Sequence, residues 1–227
     1  MDANKPHATT MFIGLDPDPL LADLVWEYKR RARELVGPQT FLDHPPHLTV
    51  YLAAFDDDVA VLDATQRLAA TTTLPSLDIV GWHVFAADGL TGGNTLVCQI
   101  ADADVRSLRA LQLRAIERIA PLRNESATGA RYASRLPTLS EIETAAIRRC
   151  GFPFVGEHWC PHVTIASFRQ FDWPTIEREL LADPPQVHAM CQALTLYRLV
   201  DGHPTPVRSF AFGRARPATI HVHPIAS

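Results

Sequence analysis

No run in this chain approaches the roughly 18 to 20 consecutive apolar residues of a membrane-spanning helix, and Met1-Asp2-Ala3-Asn4-Lys5-Pro6 holds no apolar signal-peptide core. Basic charge is not in excess. Against 25 Asp and Glu stand 21 Lys and Arg, a formal net charge of −4, which excludes a basic surface that coats long nucleic acid but not a small anionic substrate. Cys98, Cys150, Cys160 and Cys191 lack C-x-x-C spacing and read as reduced thiols. No H-E-x-x-H is present, and Gly89, Gly92 and Gly93 fit neither G-x-G-x-x-G nor a P-loop. These absences leave an ordinary soluble globular protein, expected to be cytoplasmic and monomeric with no membrane partner. Its single domain is expected over 10–213, between tails at 1–9 and 214–227.

Within that ordinary composition one short pattern occurs twice. It is His47-Leu48-Thr49-Val50 and His162-Val163-Thr164-Ile165, 115 residues apart, each directly after a proline, Pro46 or Pro161. Side chains two apart on a strand share a face, so each His-Thr pair points into one cavity while Leu48, Val50, Val163 and Ile165 point into packing. The neighbourhoods agree too: each run ends in a turn, at 56–58 or 171–174, followed by a helix-like segment. This separation is too long for a solenoid repeat and suits a chain of two similar halves.

Apolar periodicity and turn residues order the remainder. A strand over Met11–Leu15 stops at Asp16-Pro17-Asp18-Pro19. The helix expected at 20–35 carries Leu21, Leu24, Val25, Tyr28 and Ala32 on one face and a solvated cluster, Lys29, Arg30, Arg31 and Arg33, on another. The first motif strand at 47–55 and a helix at 58–71 follow. Runs at 77–86 and 95–100 then form a hairpin around a Gly-rich loop, before a helix at 103–120. The polar stretch 123–138, with Arg123, Arg131, Tyr132 and Arg135, reads as a surface loop in preference to a cationic lid. Ser140 and Glu143 have capping-box spacing and start a helix reaching Cys150. After the second motif strand come a helix at 174–182 and a terminal hairpin of runs 187–200 and 207–212 about Asp201-Gly202-His203-Pro204. The order β-α-β-α-ββ-α-α-β-α-ββ predicts an α+β fold, two antiparallel sheets with helices outside.

Two His-Thr pairs facing each other across a cleft have a definite chemistry. A histidine with an unperturbed pKa of about 6.5 can hold or release a proton at neutral pH. One imidazole takes a proton from the attacking nucleophile and the other, as imidazolium, protonates the leaving oxygen. Phosphodiester cleavage needs those two transfers in line through phosphorus, and donors for the non-bridging oxygens, which the hydroxyls of Thr49 and Thr164 supply. No metal or other cofactor is needed.

The two H-x-T-x motifs, their separation, and the terminal hairpin with Leu196-Tyr197-Arg198 resemble the 2H phosphoesterase superfamily, in particular its RNA 2′,3′-cyclic phosphodiesterase and 2′-5′ RNA ligase branch. The resemblance runs from Met11 to Phe212. It implies a bilobal, pseudo-twofold fold whose central cleft carries both motif strands, and metal-independent hydrolysis of cyclic or 2′-5′ phosphodiesters on RNA ends or nucleotides, with ligation as the reverse direction. On this resemblance His47 and His162 are the catalytic histidines, and Thr49 and Thr164 bind phosphate. Trp159, Tyr197 and Phe168 are candidates to stack a base. His44 lies outside the strand phase of the first motif.

Two rival readings stand beside this one. His158, Cys160 and His162 alternate on one strand face and, with His44 or His47, imitate a zinc set; Pro161 and the lack of a carboxylate cluster oppose it. A non-catalytic RNA- or nucleotide-binding protein of the same fold is the other, opposed by its having no need of two titrating groups.

Overall fold

Turn and capping residues decide where the elements begin. The first strand, β1 (Thr9–Pro17), gives way at Asp18, whose carboxylate accepts from the Leu21 amide while Pro19 occupies the first helical turn. That cap starts α1 (Pro19–Val36), and Gly37, at φ 73°, ends it. The chain continues as β2 (Leu48–Phe55), α2 (Asp58–Ala70), β3 (Ile79–Phe85), β4 (Asn94–Ile100), α3 (Asp102–Ile119), α4 (Glu125–Tyr132), α5 (Glu141–Cys150), β5 (His162–Phe168), α6 (Trp173–Glu179), β6 (Cys191–Val200) and β7 (His203–Phe210). This computed structural model describes residues 8–73 and 75–213; the tail segments 1–7 and 214–227 lie outside the described residues.

The strands form two antiparallel sheets, ordered β2-β1-β6-β7 and β3-β4-β5. The orders show a duplication with exchanged ends. The unit β1-α1-β2-α2-β3 is followed by β4-α3-β5-α6-β6, with α4 and α5 inserted before β5 and β7 appended. In each sheet the unit's first strand, β1 or β4, is central, flanked by its own motif strand and by the last strand of the other unit. The motif strands β2 and β5 are therefore sheet edges, and they lie against each other. Apolar side chains from both halves form one continuous core.

A shared irregularity marks the motif strands. The β1–β2 register skips Val50, and the β4–β5 register skips Ile165. Each skipped residue is the fourth of an H-x-T-x motif, so a bulge follows each threonine. It reverses the alternation: Leu48 and Val50 face the core and so do Tyr51 and Ala53, just as Val163 and Ile165 are followed by Ala166 and Phe168.

Three expectations are corrected. Residues 123–138 hold α4 and a 3-10 turn at Leu136–Thr138. Asn124 caps α4, and the Thr128 hydroxyl accepts from the Ala54 amide at 3.0 Å, fastening the helix to the far end of β2 from His47. The terminal turn is tighter than expected, with only Asp201 (φ 50°) and Gly202 (φ 82°) between β6 and β7, as a two-residue hairpin loop demands. Lys29 is 2% exposed, whereas Arg30 and Arg33 pair at the surface with Glu27, Glu34 and Asp43.

Candidate active site

The prolines ahead of the motifs acquire a purpose in the structure. His47 Nδ1 lies 2.7 Å from the Pro45 carbonyl oxygen, and His162 Nδ1 lies 2.8 Å from that of Cys160. A carbonyl only accepts, so in both rings Nδ1 carries the proton and Nε2 is left bare. The acceptor is in each case the residue before the proline, a position that proline restricts to extended backbone. One local device thus fixes the tautomer twice. Both histidines and both threonines are half-buried.

His47 sits on an aromatic stack. Its ring centroid is 4.8 Å from that of Phe12 on β1, and Phe12 lies parallel to Tyr197 on β6, 4.8 Å away at 8°. Gly14, paired with Thr49, makes room for this arrangement, since a Cβ there would stand 3.1 Å from the Tyr197 ring. The Tyr197 hydroxyl donates to Asp16 Oδ1 at 2.7 Å and Thr195 donates to Asp16 Oδ2 at 2.5 Å. Burial pushes the Asp16 carboxyl up, and those two bonds oppose the rise. Burial likewise drives His47 down to about 4 against the bond to Pro45; cationic charge on Lys29, His44 and His162 lowers it further. The two motifs meet where β2 lies against β5.

His162 has different company. Its ring lies 5.0 Å from Phe85, which is 4.6 Å from His83. Burial lowers it too, opposed by the bond to the Cys160 carbonyl, and His83 adds to the lowering, but Asp88 raises it. Asp88 belongs to the Gly-rich hairpin loop, where its carboxylate accepts from the Leu90 amide and from Thr95 Oγ1 at 2.7 Å. Thr91 of the same loop is 2.6 Å from the Ser167 hydroxyl on β5. A Cβ on Gly93 would stand 2.3 Å from the Phe168 carbonyl oxygen, so glycine is what lets this loop close onto β5.

The structure brings the two motif strands together, and of the aromatic candidates only Tyr197 lies beside a motif histidine, its ring centroid 5.4 Å from that of His47. Trp159 is 4% exposed and packs in the core, as does Phe168. Tyr197, also 4% exposed, is committed to Phe12 and Asp16, so none of the three offers an open ring face to a base. Among the described residues no group of three or more His, Cys, Asp or Glu side chains could hold a metal ion; the His158, Cys160 and His162 set does not converge. All four cysteines are free thiols, with only Cys160 exposed. Among the described residues no helix is long and apolar enough to cross a membrane. Phe12 and Phe85, against the motif histidines, and Lys29, on the Ile165 carbonyl, escaped the sequence reading as site neighbours, because each comes from an element distant in sequence from the motif it touches.

Fold and site together define a two-sheet α+β protein made of a repeated unit, with a tautomer-locked histidine and a threonine at the inner edge of each sheet. A family model for the 2′-5′ RNA ligase superfamily matches residues 17–203. The chain belongs to that superfamily, the 2H phosphoesterases, a superfamily of enzymes. The crystal structure of TT0787 of Thermus thermophilus has a similar fold, with TM-score 0.52 and 16% identity, covering 91% of this chain and 100% of that one. A crystal structure of E. coli LigT complexed with NADP+ aligns at TM-score 0.49 and 17% identity over 91% of this chain and 99% of that one. A crystal structure of a phosphoesterase aligns at 0.49 and 15% over 92% and 100%. No curated protein sequence matches significantly.

Proposed function

We propose that this protein is a metal-independent phosphodiesterase that hydrolyses a 2′,3′-cyclic phosphate or a 2′-5′ linkage of RNA ends or nucleotides. The observation that carries the reading is the locked tautomer: in both motifs Nδ1–H is tied to backbone, so each Nε2 is the atom that gains or gives a proton. His47 is the general base and His162 the general acid. The assignment follows from charge. Burial, reinforced by the charge of Lys29, holds His47 neutral, as a base must be; burial lowers His162 too, but there Asp88 opposes it and favours the imidazolium that an acid must be. Water gives its proton to His47 Nε2 as its oxygen bonds to phosphorus. The bond to the leaving sugar oxygen breaks as His162 Nε2 delivers a proton there. Thr49 and Thr164 donate to the non-bridging oxygens, whose charge must be stabilised in the transition state.

The same groups run the reverse step, ligation, but the high concentration of water favours hydrolysis. The deciding experiment is hydrolysis of a nucleoside 2′,3′-cyclic phosphate in EDTA by the wild type, His47→Ala and His162→Ala, resolving 2′- from 3′-phosphate product. Turnover that both substitutions abolish is expected, and the product identifies the leaving oxygen. Activity lost in EDTA and restored by zinc would overturn the mechanism. Binding without turnover, equal in all three proteins, would mean a binding protein.

A further inference from the structure

We infer that Lys29 is a positioning residue for the two-histidine site: its buried ammonium, bonded to the carbonyls of Phe41 and Ile165, fixes the segment leading into His47 against the strand carrying Thr164. The inference rests on the two-histidine reading above. Lys29 projects from α1 into the interior, with Nζ 2.6 Å from the Phe41 oxygen and 2.9 Å from the Ile165 oxygen. Among the described residues no carboxylate bonds to it, although Asp43 lies near enough to favour its charge. A buried ammonium without a counter-ion is costly, so what it holds must matter to the fold or the site.

Both acceptors are irregular. Ile165 is the bulged residue that follows Thr164, without a partner in the β4 register. Phe41 has φ 73°, a left-handed conformation that is a genuine outlier for a bulky side chain and persists only where surroundings enforce it. The segment around Phe41 lies across β5, since the Ser167 amide donates to the Thr40 carbonyl at 2.9 Å. One ammonium therefore ties the approach to the first motif to the bulge of the second. Val50, the matching bulged residue of the first motif, is given no such side-chain partner among the described residues, which makes the clamp one-sided.

Lys29 also acts through charge. Its charge disfavours a proton on His47 and on His44. Asp43 from the same segment, Cys98 on β4 and Arg33 on its own helix complete the charged and titratable groups around it. Burial lowers Lys29 itself to about 7.

The test is Lys29→Met, which keeps the volume and removes the charge, with Lys29→Arg as the charge-retaining control. Ring NMR signals of His47 and His162 are followed against pH in free protein, and kcat and KM are measured on a nucleoside 2′,3′-cyclic phosphate. In Lys29→Met the His47 midpoint is expected to rise while that of His162 stays. The expected fall in kcat is on the order of 10²-fold, as for a misplacement of about 1 Å, with KM within about twofold and partial recovery in Lys29→Arg. Unchanged His47 titration and kcat in folded Lys29→Met would overturn the inference. Should that variant not fold, the wild type decides: the His47 signal must respond as Lys29 titrates, and a silent His47 overturns it. The titrations need no turnover, so an inactive wild type would count against the phosphodiesterase reading and not against the clamp.

Discussion

In both halves the motif histidine bonds to the carbonyl two residues earlier, a proline intervenes, and the residue after the threonine is bulged. Beyond the backbone the halves part. His47 lies on Phe12 near Tyr197 and is lowered by the charge of Lys29 and His44; His162 meets Phe85, itself against His83, and is raised by the charge of Asp88. The backbone device that fixes tautomer and direction is thus repeated, and the charge that decides which way a proton moves is not. On the proposed mechanism, a symmetric pair of bases becomes an acid and a base through its neighbours.

The largest effect should come from removing either ring. His47→Ala and His162→Ala are each expected to lower kcat by roughly 10²- to 10⁴-fold, and the double variant by little more than the worse single, because the two transfers belong to one step. Additive losses would mean that the halves act separately. Thr49→Val and Thr164→Val, assayed alongside, are expected to fall by about 10²- to 10³-fold if each hydroxyl meets developing charge. Equal losses would keep the halves equivalent at phosphate, and unequal ones would show where the asymmetry extends.

Acid stability separates the halves without substrate. A histidine lowered on folding takes up its proton more readily in the unfolded chain, so stability is full above about 6.5 and is lost as pH falls toward the folded value. For His47, lowered to about 4, the loss over that window is about 3 kcal/mol. His47→Gln should flatten the urea-midpoint profile between pH 6.5 and 4. Tyr197→Phe is a smaller break on the same side: it leaves Asp16 Oδ1 without the tyrosine hydroxyl and should cost about 1–3 kcal/mol in urea denaturation.

The motif strands, the long helices, the capping box at Ser140 and both hairpins were legible because period, caps and turn residues are local signals. α4 was not: Ala127, Gly129, Ala130 and Ala133 give it little apolar periodicity, and Thr128 and Tyr132 hold it only once β2 exists to receive them. The bulges were hidden because Val50-Tyr51 and Ile165-Ala166 read simply as apolar runs. Lys29 looked like its neighbours Arg30 and Arg31 because nothing local marks a lysine whose acceptors lie 12 and 136 residues away. The His-Thr pairs were visible in sequence; what distinguishes one from the other lies in tertiary neighbours.

The finest test addresses that distinction directly. With His47 as base, kcat/KM should fall as pH drops through about 4. With His162 as acid it should fall again as the imidazolium is lost, and since His162 is lowered on folding, that second limb lies below the ordinary value of about 6.5. The profile should therefore peak on the acid side. Asp88→Asn keeps an oxygen for Thr95 and the Leu90 amide but removes the charge that raises His162. It should move only the alkaline limb, and to lower pH. Movement of the acid limb instead would reverse the roles of the two histidines, with Asp88 serving the base.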